Sequence, residues 1–452
     1  LEVPKTGSLL VKDGSQVLTV TTGAGKGGSL AVDAQDVQII GATNDNTFPS
    51  ALLASTTLNS TGDAGDVSIK IDSLLIKDGA QVGTGTFGTG NGGSITIDAS
   101  DWVEVIGTST NDTFFSAINT STNSSGNAGN LTLNARRLIV GGGGFLAAET
   151  SQTSTGDGGN LLINARDSVE VTGISLTDSI PSTLSVRSRG EGKAGNLTVN
   201  SSRIGVKDQG TINAESFAVD GGNITLNTNL LLLRRGGTVS ATAGIEEGAG
   251  NGGNININAT AIAAVASENS DIRANAFTGK GGNVIITTEG LFGIVPASFP
   301  TDQSEITASS QLGLQGQINI IQPELQRTQG IIELPSTVLD ASTKFAQVCP
   351  RGVNAKPLGK FIITGRGSLP PSPFELMTGT VNLAELATLD GQSSPQVRTE
   401  AETRSLDINS SSETAIEAQR LVRTTDGQIA LVGGSAAAVP NSMTAPSCPV
   451  AS

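Results

Sequence analysis

The sequence predicts an all-β chain wound as a parallel β-helix of about ten coils, followed by a small mixed C-terminal segment. Three observations carry that prediction. A glycine-rich turn leading into an alternating strand recurs ten times, at spacings from 27 to 37 residues. Both inward positions after every one of those turns are aliphatic. No helical period is found between the turns, where further short strand-like pieces follow instead.

The turns read GKGGSLAV, GDAGDVSI, GNGGSITI, GNAGNLTL, GDGGNLLI, GKAGNLTV, VDGGNITL, GNGGNINI, GKGGNVII and GLQGQINI. Their final glycines are Gly28, Gly65, Gly93, Gly129, Gly159, Gly195, Gly222, Gly253, Gly282 and Gly316. Glycine suits tight turns and close approach of backbone between coils. Two and four residues after each stand the aliphatic pairs, with Leu131 and Leu133, Leu161 and Ile163, Leu197 and Val199 as the central stack. The position between is mostly small or polar, so one face is buried and one is wet. A second piece follows a corner of small residues at Ala34, Ala99, Ala135 and Ala165, and a third precedes the next turn, as in Gln81–Thr84. Three short strands per coil are therefore expected. A single coil cannot bury its apolar face, and stacking supplies the partner. Ten coils at the strand spacing make a rod about 45–50 Å long. A β-sandwich also has many short strands, but it does not require aliphatic pairs at a fixed offset from a repeated turn.

Stacking has consequences for polar columns. Asn130, Asn160, Asn196, Asn223, Asn254 and Asn283 each follow the key glycine, and stacked asparagines bond along the rod as a ladder. At the corner stand Asp101, then Arg136 and Arg137, then Asp167, then Arg203, an alternation of sign that predicts surface ion pairs. A longer period is superimposed. Gly41, Gly107 and Gly173 lie 66 apart, each opening a longer loop, so every second coil is expected to bulge on the same side. Phe48, Phe114 and Phe115 sit in those loops, either covering apolar surface of the rod or forming a contact patch for a partner.

Composition sets the boundary and the exclusions. Nine of the 58 glycines but ten of the 16 prolines and both cysteines fall after residue 330, so 1–330 reads as the repeat array and 331–452 as a distinct segment. Histidine is absent, which removes Ser-His-Asp and Cys-His catalysis and imidazole metal sites. The net charge of −14 opposes nucleic acid and anionic lipid, and no apolar run is long enough to span a membrane. The chain starts at Leu1 without a signal-peptide profile and reads as a mature chain or a fragment.

Candidate chemistry is sparse, and no cofactor is expected. Gly23–Gly28, Gly88–Gly93 and Gly248–Gly253 match G-x-G-x-x-G, but each runs into a strand where a dinucleotide site needs a helix. Asp33, Asp98, Asn134, Asn164, Asn200, Asn227 and Asn258 line one corner; asparagine dominates, which suits a solvated column or ladder better than calcium. Asp101 and Glu104 recur as Asp167 and Glu170, a conceivable glycosidase set, but basic residues lie between them and Trp102 is the one tryptophan. In the C-terminal segment, Asp340–Val348 suits a short helix, Ser368–Pro373 an extended piece, and Leu421–Thr425 with Gln428–Val432 flank Asp426–Gly427 as a hairpin. Part of 331–452 is expected to cap the last coil.

The repeats, the run DASTKFAQVCPRG (Asp340–Gly352), FIITGRGSLPPSP (Phe361–Pro373), DGQIALVGG (Asp426–Gly434) and the final Cys448–Pro449 resemble the cyanobacterial filamentous-haemagglutinin-like exoproteins of two-partner secretion. The resemblance covers nearly the whole chain. It implies a right-handed parallel β-helix exported through an outer-membrane partner transporter to the cell surface or the extracellular space. There such proteins act as adhesins or matrix components toward a surface glycan or receptor. In an exported chain Cys349 and Cys448 most simply form one disulfide, with two free thiols as the alternative. The Cys-closed tail is then a candidate anchor. A non-enzymatic adhesive rod is the leading expectation; a polysaccharide-active β-helix and a passive matrix component are its rivals.

Overall fold

The computed structural model describes residues 2–322 other than Leu176, Asp178 and Ser179, together with 420–423 and 429–432. The chain divides into two compact units, Leu1–Gln329 and Gly330–Ser452. In the first, two eleven-stranded parallel sheets alternate along the sequence, so that each coil contributes one strand to each. The fold is a β-solenoid of about ten turns. Among the described residues no helix is long and apolar enough to cross a membrane.

One sheet holds long strands: Glu2–Lys12, Leu30–Ile40, Val67–Lys77, Ile95–Ile106, Leu131–Gly141, Leu161–Thr172, Leu197–Lys207, Ile224–Arg234, Ile255–Ala263, Asn283–Phe292 and Gln317–Ile321. The other holds short ones, from Gln16–Thr21 through Phe145–Thr150, Thr183–Ser185, Thr211–Asn213 and Thr238–Ser240 to Glu305–Thr307. Leu161 pairs in register with Leu131 on one side and Leu197 on the other, and Ile163 with Leu133 and Val199. All six are sealed from solvent at 0–1% exposure. Inward residues of the short strands, such as Ile118, Leu146, Leu184 and Ile212, meet them from across the coil. Each such side chain contributes about 1.5–3 kcal/mol by leaving water.

The expectation of three strands per coil needs correction. The first two pieces are one strand, in which partner pairing lapses briefly at the alanine corner and resumes beyond it, as between Asp33 and Asp36. Ala34, Ala99 and Ala165 point inward there, and the alternation then slips so that Gln35 and Asp36 both face out before Val37 turns in again. The slip lets one strand bend around the core and resume its pairing on the far side of the corner, as where Asp36 pairs with Ser73. Ile95–Ile106 and Leu161–Thr172 hold one residue more than the 11-residue strand Leu131–Gly141 between them. The extra residue is absorbed as a bulge, between Ala165 and Ser168 in the second.

The key glycines stack directly. A Cβ on Gly129 would lie 1.9 Å from the Gly93 carbonyl oxygen, and one on Gly159 1.9 Å from that of Gly129. The same approach recurs from Gly65 to Gly316, so the glycine column exists because no side chain fits between coils.

Every second coil does bulge. The loops open at left-handed Gly41, Gly107 and Gly173 (φ 72°, 79° and 81°). They touch one another across the intervening coil: Asn46 Nδ2 donates to Thr110 Oγ1 at 3.4 Å, and the Thr177 backbone N–H to Asp112 at 3.2 Å. The intervening coils turn tightly through left-handed pairs, Asp13–Gly14, Asp78–Gly79 and Gly142–Gly143, over which the loops lie. Ser116 clamps one such crossing, donating to the Ile106 carbonyl at 2.8 Å and accepting from Gly79 N–H at 3.0 Å.

The short-strand sheet ends on Val295–Pro296, which folds back to pair with Glu305–Thr307. Proline donates no ladder bond, which suits an edge. In the second unit, Arg420–Arg423 and Ile429–Val432 pair antiparallel, Leu421 opposite Leu431. They fall within or beside the two expected strand pieces, and the turn at Asp426–Gly427 lies outside the described residues. The expected helix at Asp340–Val348, the extended piece Ser368–Pro373, the cap, and Cys349 with Cys448 lie outside the described residues.

Candidate functional site

Most polar side chains on the solenoid are spent on the coil next door. Nδ2 of Asn160, Asn196, Asn223, Asn254 and Asn283 donates to Oδ1 of the preceding asparagine at 3.1, 3.1, 2.8, 2.9 and 2.8 Å. The corner column is a second ladder. Asn134 donates to Asp98 at 2.7 Å, and Asn164, Asn200, Asn227 and Asn258 follow at 2.8, 2.8, 2.7 and 2.9 Å. Its oxygens are thereby engaged along the rod. A third column, two residues before the key glycine, went unread in the sequence. There Asn91, Asn127, Asp157 and Lys193 each donate a backbone N–H to the side chain on the coil before, at 2.7–3.0 Å. The D/N/K alternation in GDAG, GNGG, GNAG, GDGG and GKAG was its signal.

The proposed carboxylate set is structural in geometry. Arg136 lies between the two bulges, with Nη2 2.8 Å from Asp101 and Nε 3.4 Å from Asp167. Arg137 reaches Asp101 at 3.7 Å. Arg203, expected to continue the alternation, is exposed and has no ion pair among the described residues. Glu104 and Glu170 are held apart by Ile139, the register partner of both. The three G-x-G-x-x-G segments are turns packed on other turns; a Cβ on Gly88 would meet the Ser60 carbonyl oxygen at 1.8 Å.

The loop phenylalanines separate. Phe48 is 55% exposed, whereas Phe114 and Phe115 are half-buried. Phe115 packs against Phe145 of the short-strand sheet, ring centres 6.3 Å apart and tilted by 51°. That pair walls a recess of about 550 Å³, completed by Ile180 and Pro181 of the next long loop.

The floor follows from register. Outward positions of successive short strands align as Phe145, Thr183, Thr211 and Thr238, and beside them as Ala147, Ser185, Asn213 and Ser240. One step further, just before the bridged positions Thr150, Ser188 and Ser216, stand Glu149, Arg187 and Glu215. Thr183 and Thr211 hydroxyls lie 2.8 Å apart, and Ser185 Oγ is 2.6 Å from Asn213 Oδ1 and hydrogen-bonded to Glu149.

The charges are unevenly matched. Arg187 Nη2 lies 3.5 Å and Arg189 Nη2 3.9 Å from Glu149, ion pairs too long to be hydrogen bonds. Arg187 Nε is buried with no partner. Glu215 is packed so that burial pushes its carboxyl up from the ordinary range, opposed by a hydrogen bond from Ser240 and by the charges of Arg187 and Arg273. Beyond the floor, Asp271 is fully buried against Arg273, and burial likewise raises its carboxyl. Glu149, Arg187 and Glu215 were missed in the sequence. Aligning FLAAET, TLSVRS and TINAES, the third strand-like piece of successive coils, places them in one column.

Two other recesses are less promising. One, of about 460 Å³, runs along the asparagine ladder, and one, of about 440 Å³, sits at the alanine corner beside Lys70 and Asp98. Neither has an aromatic wall, and their asparagines already serve one another. Compared with protein-family models, curated proteins and solved structures, the chain has no significant match.

Proposed function

We propose that this chain is the shaft of a secreted, surface-exposed adhesin of the filamentous-haemagglutinin-like kind. It is carried out of the cell by an outer-membrane partner transporter and acts by attachment rather than by catalysis. One observation carries the reading. The turns and corner of the solenoid bond coil to coil along asparagine ladders, whereas Arg187, lining a recess walled by Phe115 and Phe145, keeps a buried Nε without an acceptor. A repetitive rod with such a contact point on its side suits holding a cell to a surface or matrix. Two experiments test the proposal. Antibody labelling of intact producing cells is expected to find the chain outside. Removing the gene is expected to reduce attachment to the natural surface. Labelling that appears only after lysis, or attachment that does not change, ends the reading.

A polysaccharide-cleaving enzyme is the second reading, favoured by the placement of Glu149 and Glu215 on either side of Arg187 on successive coils. Two strand spacings put their backbones about 9–10 Å apart, near the upper end of the separation used by inverting glycosidases. Release of reducing ends from acidic polysaccharide, abolished by Glu149→Gln, would place this reading first.

A further inference from the structure

We infer that the recess on the short-strand sheet binds an acidic sugar, with its carboxylate on Arg187 and Arg189 and its ring against Phe115 and Phe145. The inference deepens the adhesive reading by naming the ligand class of its contact point.

The guanidinium groups come first. Each offers five N–H donors and no acceptor. Across the two of them, the partner among the described residues is the Glu149 carboxylate, at 3.5 and 3.9 Å. Neither side chain donates a hydrogen bond there, and Arg187 Nε is buried without an acceptor. Donors this poorly matched favour an incoming carboxylate, which a guanidinium meets with two parallel bonds. Glu215, the other acid of the recess, engages Ser240 and faces Arg187, Arg273 and Glu149. Burial shifts its carboxyl toward the neutral form, opposed by Ser240 and by the charges of Arg187 and Arg273. Arg187 and Arg189 both line the recess, on a chain whose net charge is −14.

The rest of the lining selects a sugar over other anions. Thr183, Thr211 and Thr238 line up on successive strands whose backbones lie about 4.8 Å apart, with the first two hydroxyls 2.8 Å from each other. Ser185 and Asn213 run beside them. Such a floor matches a ligand carrying several hydroxyl groups. Phe115 and Phe145, with Ile180 and Pro181, give the apolar C–H face of a pyranose a surface to lie on. A volume of about 550 Å³ falls in the range of small-molecule sites.

The test is calorimetric titration of the full chain with a galacturonate trisaccharide and, separately, with the matching neutral galactose trisaccharide. The uronate is expected to bind about ten-fold tighter or more, and to weaken with added salt. Arg187→Ala is expected to lose that preference, while Asp101→Asn, at a different corner, keeps it. Because an alanine variant can fail by misfolding, Arg187→Lys is measured as well. It keeps a point charge but not the two-bond geometry, and is expected to fall between the two. Equal binding of both sugars, binding of neither, or an unchanged uronate preference in Arg187→Ala overturns the inference. A chain that sits on the cell surface but ignores uronates ends this inference alone. One that binds uronates but stays inside the cell ends the adhesive reading alone.

Discussion

The outward faces of the two sheets are built on one backbone plan and use their polar residues in opposite ways. Along the long-strand sheet and its turns, the ladder asparagines from Asn160 to Asn283 each donate their amide to the coil before, and Arg136 is pinned between Asp101 and Asp167. Across the short strands from Phe145–Thr150 to Thr238–Ser240, the outward row instead leaves Arg187 Nε without an acceptor and Glu215 held toward its neutral form. Repetition explains the first. A residue that repeats in every coil meets its own copy 4.8 Å or so away, and asparagine bonds to itself. Broken repetition explains the second. Glu149, Arg187 and Glu215 differ from coil to coil, so register brings unlike groups together and leaves some unsatisfied. On this molecule the places where the repeat fails are the places to look for binding.

The comparison breaks most visibly if the common core is disturbed, because both faces rest on it. Leu161→Ala removes a side chain that is 1% exposed and stacked between Leu131 and Leu197. A loss of about 2–5 kcal/mol is expected in chemical denaturation. Gly159→Ala attacks the same coil from the turn. Its Cβ would sit 1.9 Å from the Gly129 carbonyl oxygen, so two coils must part there. About 1–3 kcal/mol, toward the upper figure, is expected. If Gly159→Ala is neutral, the glycine column is a matter of turn preference rather than of close approach.

Much of this architecture was legible beforehand, for a physical reason. Core positions of a solenoid answer to one demand, aliphatic and inward, and that demand repeats at Leu131, Leu161 and Leu197 where the eye can align it. The asparagine ladder was legible for the same reason. The merging of two strands at Ala34 or Ala165 was not, since small residues signal a corner equally well whether pairing stops there or resumes beyond it. The recess was not legible either. Phe115 was flagged in a loop, but its partner Phe145 lies in another coil, and Glu149, Arg187 and Glu215 form a column only once the register of the short strands is known.

Paired substitutions sharpen the contrast. Asn196→Ala takes a rung from the middle of the ladder, breaking its bonds to Asn160 at 3.1 Å and from Asn223 at 2.8 Å. A cost of about 1 kcal/mol is expected, with no effect on any ligand. Asp101→Asn weakens an ion pair exposed to water and salt, and a change within about 1 kcal/mol is expected. Matched melts of the two variants test whether ladder and ion pairs differ in weight. A larger loss from Asp101→Asn would mean that the bulges, not the ladders, hold the long-strand face together.

The smallest expected effects lie in the pH dependence of stability, and here the two regions should differ in sign. Glu268 accepts Nε and Nη2 of Arg234 at 2.7 and 2.9 Å and the Arg235 backbone N–H at 2.8 Å. The side-chain bond from Arg234, first among these influences, lowers its carboxyl from 4.5 to about 2. The unfolded chain therefore takes up that proton first on acidification. The stabilisation is complete above 4.5 and is lost as the pH falls toward 2. Glu215 is shifted the other way by burial, so its folded form holds the proton more tightly than the unfolded chain does. Its cost to stability is absent below 4.5 and grows as the pH rises through the folded value. Melting temperatures followed from acid to neutral pH in Glu268→Gln and Glu215→Gln separate the two. The first variant is expected to flatten the acid limb, the second to remove a decline toward neutrality. If Glu215→Gln leaves the neutral side unchanged, burial does not hold that carboxyl above its ordinary range in the folded chain.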